Sequence, residues 1–169
     1  MIRTQKQRKT MYHSMLLLVA VSAFGWAAFT ARGSAKPRRS DTKGSIFAQA
    51  LVEGTVAKHP ELAGLELATV PREGHDCVTI AATDAKEIDD KCDKAELAVM
   101  KSGQATVEKE GDGYDVTLPL HVSGRTIGII GMDFKLDQLE SSLLDKARAI
   151  AKEVEEQIPA KSKLFEPAK

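Results

Sequence analysis

The chain has 169 residues, enough for one domain of ordinary size plus a short leader. Its formal charge is zero, but residues 1–35 hold five basic residues and no acidic one, which leaves residues 36–169 with 19 basic against 24 acidic residues, a net charge of −5. An acidic body with only 5% aromatics disfavours a nucleic-acid partner, which needs a basic face and bases to stack on.

The leader comes first. Behind Arg3, Lys6, Arg8 and Lys9 runs a charge-free stretch of 17 residues, Met15 to Ala31. A basic start followed by such a stretch is an export signal, and its length sits between a cleaved signal peptide and a short inner-membrane anchor. Gly33 and Ala35 offer small residues for cleavage near Ala35. Either outcome places residues 36–169 in the periplasm or another extracytoplasmic space. Residues 36–44, KPRRSDTKG, read as a linker, and one domain is expected over residues 45–159.

A helix is predicted from Ser45, a candidate N-cap, to about His59, with Ile46, Phe47, Ala50 and Leu51 at helical spacing and Pro60 as the stop. The period then changes to that of strands at Gly64 to Val70 and Cys77 to Thr83. The polar segment DAKEIDDKC follows. Asp93 to Gly103 predicts a short helix, with Asp93 and Glu96 in capping-box positions and Gly103 where a left-handed C-terminal residue belongs. ATVEKE, YDVTLPLHV and the stretch from Arg125 then predict three antiparallel strands joined by turns at Gly111 to Gly113 and at Ser123-Gly124. A long helix closes the pattern, with Asp137 as N-cap and an apolar stripe of Leu136, Leu139, Leu143, Ala147, Ile150, Val154 and Ile158. Pro159 ends it, and residues 160–169 read as a flexible tail. Helix, two strands, short helix, three strands and long helix make an α+β fold with a five-stranded sheet.

Two cysteines, Cys77 and Cys92, fit an oxidising compartment as a disulfide, although two independent thiols remain the alternative. CxxC, HExxH and CxxCH spacings are absent, so neither a metal nor a haem is indicated, and no cofactor is expected. A nucleophile elbow and a P-loop are absent too. Asp115 and His121 share a strand face with no nucleophile near them in sequence, so an enzyme is not expected.

The last strand raises a sharper question, because Gly128, Gly131 and Asp133 interrupt an apolar run. Glycine weakens a strand, and a buried carboxylate must be paired. If Ser123-Gly124 is a two-residue turn, Val122 faces Arg125 and an unbroken register puts Tyr114 opposite Asp133 on one face, with Gly131 beside them. The missing side chain of Gly131 would leave a gap for a small molecule, with Asp133 accepting from an ammonium or hydroxyl. Alternatively, Asp133 bonds only a local backbone N–H or the Tyr114 hydroxyl.

The run DVTLPLHVSGRTIGIIGMDFKLDQLE resembles the end of a Cache domain, the PAS-like extracytoplasmic sensor module of bacterial receptors; Pro119, Gly124, Ile127, Gly128, Gly131 and Asp133 match its pattern. The upstream VTIAATD resembles the strand that precedes the pocket loop. The resemblance implies a PAS-like five-stranded antiparallel sheet and a ligand-binding role. It also implies that Asp133 holds a ligand's cationic group. The aromatic partners such receptors add have no match, since residues 49–113 contain no aromatic side chain. The candidate ligand-binding residues are Asp133, Tyr114, Gly131, Thr79 and His121. The expected function is an exported, stand-alone sensory or accessory binding protein for a small polar metabolite, acting through a membrane receptor or kinase. The alternative is an envelope interaction module that associates, as a homodimer for example, through its C-terminal helix without a ligand.

Overall fold

The computed structural model describes residues 46–135 and 140–168. The leader, the linker and the expected helix-start residues Ser45, Leu136, Asp137 and Leu139 lie outside the described residues. The described residues form one compact unit.

Chain order is α1 (Phe47–Lys58), β1 (Leu62–Thr69), β2 (Val78–Ala82), α2 (Lys94–Ser102), β3 (Thr106–Glu110), β4 (Gly113–Val122), β5 (Arg125–Lys135) and α3 (Glu140–Glu156). A 3-10 turn at Lys161–Phe165 follows. The strands form one antiparallel sheet in the order β2-β1-β5-β4-β3, so β5 lies at its centre between β1 and β4. This is the expected α+β arrangement.

The sheet is covered on both faces. One face carries Leu65, Leu67, Val116, Leu118, Leu120, Ile130, Met132 and Phe134, packed against α1 and α3. The helices contribute Ala48, Leu51 and Val52, and Leu143, Ala147, Ile150 and Val154. The α3 stripe is therefore consumed by its own core, as one continuous apolar face should be. A smaller cluster of Ala68, Cys77, Val99 and Ile129 joins the other face to α2.

Local chemistry explains the ends of α2. The Asp93 carboxylate accepts from the N–H of Ala95 and Glu96, the Glu96 carboxylate accepts from the Asp93 N–H, and Gly103 closes the helix at φ 71°. The N-cap of α1 is Ile46, with no side-chain cap. The Glu166 carbonyl accepts from the Phe47 N–H at 2.7 Å instead. That contact corrects the expected flexible tail: Leu164 is fully buried against the core, and Ile46 bridges to Pro167. One apolar side chain and one strand-like bridge are enough to order it.

Cys77 and Cys92 are bonded to each other. The bond holds the polar segment after β2 back along that strand, where Thr79 N–H donates to Asp90 and Asp89 N–H donates to Thr79.

The β4–β5 register differs from the expectation. The turn is the two-residue one read from Ser123-Gly124, both at positive φ, and Val122 does face Arg125. A β-bulge then follows, so Leu120 pairs with Gly128 and Ile127 is the extra residue. The bulge is pinned from the neighbouring strand, where the Thr69 hydroxyl donates to the Ile127 carbonyl. The register beyond it moves by one residue, which turns each side chain to the opposite face. Tyr114 consequently pairs with Phe134, and Asp133 pairs with Asp115.

Candidate functional site

The shifted register carries Asp133 to the α2 face of the sheet. There it borders a cleft of about 270 Å³ with Glu66 of β1, Thr79 of β2, Asp115 of β4, Gly131 of β5 and Glu96 of α2. The segment fastened by the disulfide closes one side with Glu87, Asp90 and Lys91. Six carboxyl groups thus line the cleft. The single cation among these residues, Lys91, is bonded to Asp76 at 2.7 Å.

Two of these carboxylates are seated by glycines. In the β1–β5 pair, Gly64 lies opposite Asp133 and Glu66 lies opposite Gly131. A Cβ on Gly64 would fall 2.3 Å from Asp133 Oδ2, and one on Gly131 would fall 2.8 Å from Glu66 Oε1. Each strand thus presents a Gly-x-acid step, GLE on β1 and GMD on β5, and each glycine vacates the space that the opposing carboxylate fills. The space beside Gly131 is not the gap expected from the sequence, because the Glu66 side chain occupies it.

Glu66 is the most perturbed group. Burial, then the charge of nearby Glu96, pushes its carboxyl up to about 7, while a 3.1 Å hydrogen bond donated by the Thr79 hydroxyl opposes the rise. Glu87 is raised as well, first by burial and then by Asp133, Asp84 and Asp90. Crowded like charges raise carboxyl pKa values, so the cleft is a region of strong negative potential. It can attract a cation, accept hydrogen bonds from it, and take up or release protons as it does so.

Of the five residues singled out from sequence, Asp133, Gly131 and Thr79 come together here. Tyr114 and His121 do not. Tyr114 turns to the face covered by α1 and α3 and shares with Asp133 only a depression at the end of the sheet. His121, near the end of β4, faces α3 instead, where Glu155 accepts from its backbone N–H at 2.5 Å and meets Nδ1 at 3.2 Å. The bulge at Ile127 accounts for the loss of Tyr114, because it breaks the pairing that would have placed Tyr114 beside Asp133. Glu66 was missed, although the matching Gly-x-acid steps of GLE and GMD are visible in the sequence. Glu87, Asp90 and Glu96 carry no such signal. No group of His, Cys, Asp and Glu among the described residues has the geometry to hold a metal ion.

A wider groove of about 820 Å³ lies between the Val70 to Gly74 turn and the C-terminal 3-10 turn. Its walls are largely apolar, with Pro71 and Phe165 prominent, and it has no comparable gathering of like charges.

No protein-family model and no curated protein matches the sequence. Solved structures do match the fold. The second GAF domain of DevS from Mycobacterium smegmatis is 12% identical and aligns over 63% of this chain and 86% of its own, with a TM-score of 0.51. The A. Aeolicus nlh2 GAF domain in an inactive state is 15% identical over 65% of this chain and 81% of its own, with a TM-score of 0.50. The fold is therefore of the GAF and PAS-like α+β class. The likeness supports that class and not the Cache superfamily in particular.

Proposed function

We propose that the folded unit is a non-catalytic sensory domain that binds a small polar metabolite carrying a positive charge. The carrying observation is the convergence of six carboxyl groups on one cleft whose single cation is already paired. In this reading Asp133 and Glu66 accept from the ligand's ammonium group, and the Thr79 hydroxyl orients Glu66. Asp115, Glu87 and Asp90 supply the surrounding negative field. The PAS-like fold supports a sensory role, since each of the two similar structures is a GAF domain.

Placement outside the cytoplasm, secreted or anchored by residues 15–31, is supported by the basic, then apolar, start and by the Cys77–Cys92 bond. The Cache-like pattern of residues 114–140 points the same way. Among the described residues no helix is long and apolar enough to cross a membrane. The signal passes to a membrane receptor or kinase that docks on the domain.

Isothermal titration of the full-length protein with primary amines, amino acids and small carboxylic acids tests this. Amines bind and acids do not. Removing one charged acceptor costs about 1.5–3 kcal/mol, so Asp133→Asn weakens amine binding by roughly 10- to 100-fold. An amine whose affinity survives both Asp133→Asn and Glu66→Gln sinks the assignment.

A further inference from the structure

The groove between the Val70 to Gly74 turn and the C-terminal 3-10 turn has two fixed walls. On one side the Gly74 N–H donates to the Pro71 carbonyl at 3.1 Å and closes the turn that follows β1. On the other, Leu164 anchors the 3-10 turn in the core, and the Glu166 carbonyl accepts from the Phe47 N–H of α1. Neither wall has to be ordered when a molecule enters, so that part of the cost of binding is small. Val70, Pro71 and Phe165 supply the apolar surface. The volume of about 820 Å³ lies within the range of small-molecule sites, about 300–1,000 Å³.

The charges select the ligand. Arg72 and Glu73 stand on one wall, Lys161 and Glu166 on the other. Glu166 is already engaged, because its carboxylate accepts from the Lys163 ammonium at 2.8 Å. Counted with Lys163, three cations meet two carboxylates, an excess of one positive charge. Lys161 is half-buried, and among the described residues neither it nor Arg72 has an ion-pair partner. A cation withdrawn from water without a counter-charge is unfavourable, and burial accordingly holds the Lys161 ammonium below the usual lysine range. An anion placed there offsets that penalty, and the Ser162 hydroxyl on the same wall can donate to it as well.

We propose that this groove is a second binding site, separate from the acidic cleft, for an organic monocarboxylate with an apolar body: Lys161 and Arg72 hold the carboxylate, and Val70, Pro71 and Phe165 cover the body. One carboxylate matches the excess of one positive charge, whereas a second would meet Glu73. Short acids leave the apolar walls uncovered and are not held.

Isothermal titration of the full-length protein with octanoate, butyrate and 1-octanol tests this. Octanoate binds. Butyrate, four methylenes shorter, binds more than tenfold more weakly, since each buried methylene is worth about fourfold. Octanol, which lacks the charge, is weaker by roughly 10- to 100-fold, the scale of a charge-assisted hydrogen bond. Lys161→Met keeps an unbranched apolar stem and loses octanoate affinity by the same factor, while its affinity for 1,4-diaminobutane stays that of the parent; the two sites are thus read separately. Absence of octanoate binding overturns the proposal, as does octanol binding as tightly as octanoate, a comparison that needs no variant. Octanoate affinity unchanged when Lys161→Met and Arg72→Gln are combined places the acid elsewhere and overturns it too.

Discussion

Two glycine-to-alanine changes, at Gly64 and at Gly128, separate the demands of the site from those of the sheet. Both glycines face close neighbours, but the neighbours differ. At Gly64 a Cβ would lie 2.3 Å from Asp133 Oδ2, the far end of an exposed side chain. Asp133 can rotate away, and alanine removes some backbone freedom from the unfolded chain, worth about 0.4–1 kcal/mol. Gly64→Ala therefore stays within about 1 kcal/mol of the parent in stability but loses roughly tenfold in amine affinity, because the carboxylate has left its seat. At Gly128 a Cβ would lie 2.2 Å from the Ala68 carbonyl oxygen, which belongs to the backbone of β1. An ordinary contact needs more than an ångström beyond that, so β1 must move off β5. Overpacking costs about 1–3 kcal/mol, and the hydrogen bond from Thr69 to the bulged Ile127 is lost with it, about 1 kcal/mol more. Gly128→Ala is expected to lose about 2–4 kcal/mol in urea denaturation. Equal stability losses in the two variants, or unchanged amine binding in Gly64→Ala, would refute the reasoning.

Replacing Cys77 and Cys92 together by alanine costs about 3 kcal/mol, the loop-closure worth of a cross-link spanning 15 residues, read from the denaturation midpoint. Because the bond also fastens Glu87 and Asp90 to the cleft, amine affinity falls in the same variant. Leu143→Ala removes a fully buried side chain of α3 and costs about 2–5 kcal/mol; a loss under 1 kcal/mol would mean that α3 does not pack as described. His59, just after α1, meets Glu61 at 3.3 Å and Glu153 of α3 at 3.0 Å, and its pKa is raised above 6.5, chiefly by the hydrogen bond to Glu153. The folded state favours its protonated form. Its contribution is thus complete below pH 6.5 and disappears as pH rises through the higher folded value; His59→Gln flattens that part of the stability profile.

Much of the fold could be read from the sequence because local rules and tertiary demands agree. Asp93, Glu96 and Gly103 place α2 by capping chemistry alone, and the stripe from Leu143 to Ile158 finds the core it implies. Periodicity also locates each strand to within about two residues. The β-bulge could not be read in this way. It depends on the Thr69 hydroxyl reaching the Ile127 carbonyl across 58 residues of sequence, a contact that no local pattern announces. That one residue decided the site, because it set Asp133 against Gly64 and Glu66 rather than against Tyr114. The C-terminal residues were misread for a related reason: Leu164 and Phe165 are too short a run to signal order, yet one deeply buried leucine supplies it. Asp133 borders a cleft whose other walls come from β1 and α2, far away in sequence, and only the GLE and GMD steps hinted at one of its neighbours there.

The central claim is that a small cation sits in the acidic cleft. Amide and side-chain chemical-shift mapping of the full-length protein with 1,4-diaminobutane tests it most directly. The account expects shifts confined to Glu66, Thr79, Glu87 to Glu96, Asp115 and Asp133, abolished when Asp133→Asn and Glu66→Gln are combined. Shifts centred instead on the groove of Val70 to Gly74 and Lys161 to Glu166, or the same map in the double variant, would contradict it.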